Sequence, residues 1–156
     1  MRQTGGSELE QAIALIAGPS QAPRFVQGMG LPYLAAALEQ AGFRPRVFDL
    51  YPPSPDTDAP AVLDQRLADA TAQTQPCMVG MTIHTPEYAA RVRLARFVRE
   101  RLPDVLLVAG GHHPSAQPAH LLRNSDFDVC AIGEADATVV ELARGIARGG
   151  DRKSVV

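Results

Sequence analysis

The chain has 156 residues, the length of one ordinary domain, and 46% of them are hydrophobic while 21% are charged, which is typical of a folded globular protein. The net charge of -2 and the lack of a lysine and arginine cluster argue against nucleic-acid and membrane-surface partners, and no apolar run approaches the roughly 20 residues that span a bilayer. The two cysteines, Cys77 and Cys130, are too few to ligate an iron–sulfur cluster and indicate a reduced, cytoplasmic compartment.

Apolar strand-like runs alternate with helical repeats along the chain. The polar residues 1–11 are expected to form a disordered lead-in, with one domain over 12–150 and a linker or tail beginning at 151–156. Continuous apolar runs predict strands at residues 12–17, 44–50, 77–83, 104–110 and 127–133. Apolar residues at helical spacing predict helices at residues 31–42, 59–72, 86–102, 116–124 and 135–149. In the helix over 86–102, the arginines are expected on the solvent side.

The predicted strands are apolar throughout, which indicates that helices cover both faces of a parallel sheet. Right-handed crossovers leave few topologies for five such β-α units. The predicted fold is therefore α/β, a flavodoxin-like (Rossmann-like) doubly wound five-stranded parallel sheet with strand order 2-1-3-4-5.

In such a sheet, ligands bind beyond the carboxyl ends of the strands. Four loops are expected at that edge: residues 18–30, 82–86, 110–115 and 132–136. These loops contain three of the four histidines, His84, His112 and His113. The fourth, His120, falls on a predicted helix and is expected at the surface.

Several ligand classes that use this architecture are disfavoured by the sequence. No Walker phosphate loop follows the first strand, and the acidic residues of a phospho-acceptor receiver are absent from the ends of the first and third strands. The segment GMGLPY (28–33) begins ten residues after Gly18, too late for the tight turn of a dinucleotide fingerprint. Neutral imidazoles are good zinc ligands, but His112 and His113 would point to opposite faces of an extended segment.

Small residues instead follow three successive predicted strands. Glycine lets a bulky group approach the backbone, and a hydroxyl can hydrogen-bond the polar edge of that group. The combination predicts a deep slot for a large, flat, partly apolar ligand. The residues expected at this slot are Thr82, Thr85, Gly110, Gly111, Ser115, Gly133 and Glu134.

Three segments together resemble the cobalamin (vitamin B12)-binding domain, in the form found at the N-terminus of B12-dependent radical S-adenosylmethionine (SAM) enzymes. They are MGLPYLAAALEQAGFRPRVFDL (29–50), VGMTIHTPEYAARVRLARFVRERLPDVLLVAGGHHPS (79–115) and DFDVCAIGEADATVVELARGI (126–146). They follow the family order and spacing over most of residues 12–150. The co-occurrence of GGHHPS and DFDVCAIGEAD carries the resemblance, because no single motif is highly specific.

The resemblance implies that the corrin ring lies over the carboxyl edge of the sheet and that the dimethylbenzimidazole tail of the cofactor enters the slot. By position in the family motif, Thr82 would hydrogen-bond the tail base, and Gly110 and Gly111 would let the tail pass close to the backbone. The other residues implied to bind the cofactor are Ile83, His84, Thr85, His112, Ser115, Gly133 and Glu134, with Phe25 and Gln27 in the loop after the first strand.

Methionine-synthase-type members of the family carry Asp-x-His-x-x-Gly after the first strand, and that histidine ligates cobalt from below. Here the loop reads GPSQAPRFVQGMG (18–30) and contains no histidine, so no metal ligand is assigned. The resemblance then implies a base-off corrinoid whose lower face meets another group of this loop. Arg24, Phe25, Val26 and Gln27 are the candidates.

The implied function is that of a binding module, which holds cobalamin for a radical SAM methyltransferase-type or related reaction in another domain or partner. SAM and the 4Fe-4S cluster would belong to that domain, and this chain, as an excised domain or a free-standing carrier, would not be catalytic alone. The alternative is a self-contained flavodoxin-like nucleotide-binding protein or metal-dependent enzyme. It would use the edge formed by His84, His112 and His113, or Glu134 as a general base.

Overall fold

The computed structural model describes residues 12–18, 30–50, 65–66, 68–69 and 74–149, and in these residues five parallel strands form one sheet. The strands are β1 (Ala12–Ala17), β2 (Arg44–Asp49), β3 (Met78–Thr82), β4 (Leu106–Gly110) and β5 (Val129–Cys130). Their order is β2-β1-β3-β4-β5, and each neighbouring pair is parallel. The predicted flavodoxin-like sheet is therefore confirmed.

Helices connect the strands and cover both faces of the sheet. They are α1 (Gly30–Gln40), α2 (Tyr88–Arg101), α3 (His112–Ala116), α4 (Pro118–Arg123) and α5 (Asp136–Ala147), with a 3-10 turn at Thr85–Glu87 before α2. The predicted helix over 59–72 lies mostly outside the described residues, of which 65, 66, 68 and 69 are helical. No helix in the described part of the chain is long and apolar enough to cross a membrane.

The sheet separates two apolar clusters, as continuously apolar strands require. Met78 of β3 belongs to the cluster that includes Leu38 of α1 and Ala143 of α5, whereas the next residue, Val79, belongs to the cluster that includes Val98 of α2. This division follows from the strand geometry, because successive side chains point to opposite faces. Burying a side chain of the size of leucine stabilises the fold by about 1.5–3 kcal/mol, so both clusters contribute to holding the helices against the sheet.

The fifth strand is shorter than the sequence predicted. The backbone N–H of Ala131 still donates to the carbonyl oxygen of Ala109 on β4 (2.8 Å), so pairing continues just beyond β5. Ile132 is then exposed, and Gly133 has a φ angle of +73°. The chain thus turns away from the sheet at these two residues, which ends the strand before the predicted boundary at residue 133.

Both cysteines are free, partly buried thiols. Removal from water by burial raises the pKa of the Cys77 thiol, and it raises the pKa of the Cys130 thiol as well. A raised pKa keeps a thiol neutral at pH 7, and a neutral buried thiol packs as a small apolar side chain. Neither cysteine is therefore positioned as an activated nucleophile.

One arginine of α2 is buried, which corrects the expectation that the arginines of this helix face solvent. Arg91 is only 2% exposed. Its guanidinium donates to a carboxylate oxygen of Glu87 (2.9 Å) and to the carbonyl oxygens of Thr82 (3.0 Å) and Gly18 (3.1 Å). Thr82 ends β3 and Gly18 follows β1, so Arg91 fixes the carboxyl ends of two neighbouring strands against the start of α2. A Cβ on Gly18 would overlap the guanidinium.

We expect Arg91→Met to lower the free energy of unfolding by about 3–5 kcal/mol, because the substitution leaves the Glu87 carboxylate buried without this cation. Arg93→Met is the matched control, since Arg93 is exposed on the same helix, and surface substitutions change stability by about 0.5 kcal/mol or less. Urea unfolding measures both variants. Equal losses in the two variants would show that the Arg91 contacts do not support the fold.

Candidate functional site

A cavity of about 420 Å³ opens at the carboxyl ends of the strands, between α1 and α5. Its floor comes from three neighbouring strands, where Gly80 of β3 is in register with Leu15 of β1 and Val108 of β4. One step nearer the mouth, Thr82 and Gly110 are in register and also line the cavity. Because every second side chain points to the same face, the sheet presents these five positions toward α1 and α5.

Gly80 sets the depth of the cavity. It is buried in the middle of β3, and a Cβ at this position would lie 2.9 Å from Cδ2 of Leu15. A side chain here would have to displace Leu15 and would occupy the cavity floor. Sequence reasoning missed this residue, although a glycine inside an apolar strand often marks the close approach of a ligand or another backbone.

Three glycines at strand ends shape the mouth. A Cβ on Gly110 would meet nothing within 4 Å, so open space lies where other strand residues carry side chains. Gly111 and Gly133 have φ angles of +100° and +73°, in the left-handed region that favours glycine. A Cβ on Gly111 would also lie 3.1 Å from the carbonyl oxygen of Ile83. The backbone therefore requires glycine at 111, whereas at 110 glycine serves to keep space open.

Ser115 joins two sides of the mouth without lining the cavity itself. Its Oγ donates to the carbonyl oxygen of Gly111 (2.8 Å) and accepts a hydrogen bond from the backbone N–H of Gly133 (3.0 Å). Gly111 belongs to the turn after β4, and Gly133 belongs to the loop after β5. The hydroxyl thus fixes the distance between two glycines that both line the cavity.

Two of the predicted histidines face each other at the mouth. The ring centroids of His84 and His112 are 5.4 Å apart, and both residues line the cavity. His84 Nδ1 lies 3.4 Å from Oε2 of Glu87, the same carboxylate oxygen that accepts the Arg91 hydrogen bond. His84 therefore connects the mouth of the cavity to the buried ion pair of Glu87 and Arg91 on the other face of the sheet.

The third histidine of this edge points elsewhere. His112 and His113 begin α3, so the expectation that they lie in an extended segment is wrong, because the positive φ of Gly111 turns the chain directly after β4. His113 is buried, with Nδ1 3.3 Å from the hydroxyl of Thr85 and its ring 4.8 Å from that of Tyr88. The predicted surface position of His120 is confirmed, since it is exposed on α4.

The histidines do not form a metal site in the described part of the chain. No group of three His, Cys, Asp or Glu side chains there could hold a metal ion.

The other side of the mouth is acidic, because Glu134 and Asp136 are exposed lining residues. Asp136 lies in the first turn of α5, where the helix dipole favours a carboxylate.

The structure brings seven of the predicted cofactor-binding residues to the cavity. They are Thr82, His84, Gly110, Gly111, His112, Gly133 and Glu134. Ile83 is instead fully buried in the apolar cluster on the opposite face of the sheet. Thr85 is exposed beside His113. Ser115 does not line the cavity and instead joins the two loops that do. Phe25 and Gln27, like their neighbours Arg24 and Val26, lie outside the described residues.

The cavity also contains residues that sequence reasoning did not assign to cofactor binding. Half of them belong to the two helices that enclose it, and only the packing of those helices on the sheet reveals which of their residues face the cavity. These additional residues are Leu15, Gly30, Leu31, Tyr33, Leu34, Gly80, Met81, Val108, Ala131, Ala135, Asp136 and Val139.

A family model described as the B12 binding domain matches residues 21–143. The chain belongs to the B12-binding domain family. The matched segment includes every residue that lines the cavity except Leu15. The resemblance noted in the sequence is thereby confirmed at the level of the family.

Curated relatives include two methyltransferases, one of them a cobalamin-dependent radical SAM enzyme. The cobalamin-dependent radical SAM methyltransferase TokK of Streptomyces tokunonensis is 30% identical over 79 residues, which is 50% of this chain and 11% of TokK. The 2-(S-pantetheinyl)-carbapenam-3-carboxylate methyltransferase of Streptantibioticus cattleyicolor is 31% identical over 74 residues, 47% of this chain and 11% of that protein. The alignments thus span about a ninth of each relative's length.

Solved structures with the same fold include a CheY-like protein and a response regulator. A CheY-like protein, TadZ of Pseudomonas aeruginosa, has a TM-score of 0.57 at 14% identity and covers 88% of this chain and 93% of its own. A response regulator from Thermotoga maritima has a TM-score of 0.57 at 13% identity and covers 88% and 98%. At such identities the likeness establishes the doubly wound fold and nothing about chemistry.

The residues of the cavity fit the nucleotide tail of a cobalamin. Its volume falls within the range of small-molecule sites, about 300–1,000 Å³, and side chains at Gly80 and Gly110 would fill the space along the sheet. Buried apolar residues such as Leu15 and Val108 suit the faces of a planar base. Thr82, which carries a hydroxyl, lines the same wall, and a hydroxyl can hydrogen-bond a ring nitrogen.

We expect Ser115→Ala to speed hydrogen exchange at the Gly133 amide by about 2- to 10-fold, because it removes an acceptor worth about 0.5–1.5 kcal/mol. Ser125→Ala is the matched control. The Ser125 hydroxyl likewise donates to a carbonyl, that of Leu121, and accepts from the amide of Phe127, but none of these residues lines the cavity.

Amide exchange followed by NMR distinguishes the two variants residue by residue. Ser115→Thr, which retains the hydroxyl, should exchange like the wild type at Gly133. Unchanged exchange at Gly133 in Ser115→Ala would contradict the role of this hydroxyl in joining the two loops.

Proposed function

We propose that this chain is a cobalamin-binding module that holds the corrinoid, base-off, for a radical SAM methyltransferase-type reaction in another domain or partner. The observation that carries the proposal is the cavity at the carboxyl edge of the sheet, whose wall lacks side chains at Gly80 and Gly110 and which lies within the segment matched by the B12-binding family. The two curated relatives support the reaction class, since both are methyltransferases and TokK is a cobalamin-dependent radical SAM enzyme.

In this proposal the wall formed by β3 and β4 holds the nucleotide tail. The Thr82 hydroxyl hydrogen-bonds the base, and Gly110 and Gly111 allow the tail to pass along the backbone without a steric barrier. Gly133 and Glu134 border the tail from the side of α5. His112, which is exposed and lines the cavity, donates to or accepts from amide groups at the rim of the corrin in this proposal.

The lower face of the corrin meets the loop after β1, with Phe25 and Gln27 as candidate contacts. The sequence of residues 18–30 contains no histidine, so the proposed state is base-off without a histidine ligand. When bound, cobalamin supplies a cobalt centre that can accept and donate a methyl group. SAM and the 4Fe-4S cluster belong to the other domain or partner, since two cysteines cannot ligate such a cluster.

We expect Gly110→Leu to abolish the binding of hydroxocobalamin while leaving the unfolding temperature close to that of the wild type. The side chain would enter open space, since no atom lies within 4 Å of the position of its Cβ, and it would occupy the cavity that the tail requires. Gly110→Ala is the matched control, and its single methyl group should weaken binding far less than leucine.

Titration of each purified variant with hydroxocobalamin, followed by visible absorbance after desalting, measures this difference. Retention of a full equivalent of corrinoid by a folded Gly110→Leu variant would show that the tail does not use this cavity.

A further inference from the structure

The lining of the cavity is segregated by depth. Every buried lining residue is apolar or a glycine: Leu15, Leu31, Gly80, Met81, Val108, Ala131 and Val139. The ionisable lining residues are half-buried or exposed, with His84 and His112 on one side of the mouth and Glu134 and Asp136 on the other. A ligand that enters the cavity therefore meets polar partners at the mouth and none among the side chains of the floor.

The backbone of the floor offers no replacement for these missing partners. Gly80 lies on β3, which is paired with β1 on one side and with β4 on the other. In a sheet paired on both sides, the N–H and carbonyl groups of the central strand are hydrogen-bonded to the neighbouring strands. Thr82, which is half-buried, is the hydroxyl-bearing residue nearest this floor among the lining residues, and one hydroxyl can serve only a few ligand atoms.

We infer that this cavity selects among cobamides by the nucleotide base, favouring dimethylbenzimidazole over a purine; the inference rests on the proposed function. The six-membered ring of dimethylbenzimidazole presents only carbon, whereas that of adenine presents ring nitrogens and an amine. In an apolar floor these polar groups lose their hydrogen bonds to water and gain none from the protein. Such unpaired groups weaken binding by about 10- to 100-fold.

The test compares three corrinoids on the purified 156-residue chain: hydroxocobalamin, its analogue with adenine as the base, and cobinamide, which has no nucleotide. We expect hydroxocobalamin to bind most tightly and the adenine analogue to bind about 10- to 100-fold more weakly. Equal affinity for the two complete cobamides would overturn the inference and leave the proposed function intact. Failure of both to bind would overturn the proposed function itself.

Val108→Thr supplies a second, independent measurement. Val108 is buried beside Gly80 on the floor, and the nearly isosteric threonine places a hydroxyl where the wild type has a methyl group. We expect the preference for hydroxocobalamin over the adenine analogue to shrink by about 3- to 10-fold, because one polar group of the purine gains a partner. Affinities are read from visible titrations, with thermal unfolding to establish that the variant is folded.

Val79→Thr is the matched control for that variant. Val79 is also fully buried, but it belongs to the cluster on the opposite face of the sheet. The same chemical change there should lower stability without altering the ratio of the two affinities. An unchanged ratio in Val108→Thr, or an equal reduction in both variants, would contradict the assignment of selectivity to the floor.

Cobinamide bound as tightly as hydroxocobalamin would also overturn the inference, because the nucleotide tail would then contribute nothing to binding.

Discussion

A parallel sheet has to be covered by helices on both faces, and in this protein the helices on one face leave a cavity at the carboxyl edge. At Gly80 and Gly110 the sheet presents no side chains to meet α1 and α5. Protein interiors are normally packed without voids of this size. The space that remains is therefore the feature around which the site is organised, and its shape depends on two positions that carry no side chain.

The opposite face of the sheet is closed, and its contacts hold the edge in place. Ile83 and Val98 are fully buried there, and Arg91 bonds the carbonyl oxygens of Gly18 and Thr82. The carbonyl oxygen of Thr82 is therefore hydrogen-bonded to an arginine of the closed face, while Thr82 itself lines the cavity on the opposite face. A site built on strand ends that are fixed in this way is held more precisely than one built on loops alone.

The arrangement of the fold could be predicted from the sequence, because apolar strands, helical repeats and right-handed crossovers leave few alternatives. The same reasoning predicted the edge and the glycines at the strand ends. It did not identify Gly80, because a glycine inside a strand has several possible causes. Arg91 lies at helical spacing between Tyr88 and Ala95, three residues after the first and four before the second, but its charge led to the expectation of solvent exposure.

The helix residues that enclose the cavity could not be predicted, since their contacts depend on how α1 and α5 pack against each other and against the sheet. Leu31 and Val139, for example, lie within helices that were predicted only as whole segments. They are buried, yet they also line the cavity. The assignments of Phe25 and Gln27 to the lower face of the cofactor remain predictions, because the described residues do not include them.

The electron paramagnetic resonance spectrum of cob(II)alamin bound to the purified chain tests the central claim most directly. If the tail occupies the cavity and no histidine replaces it, the bound cofactor should show no splitting from a coordinated nitrogen. A spectrum with nitrogen splitting would contradict the base-off account. Failure to retain cob(II)alamin after desalting would contradict the binding function itself.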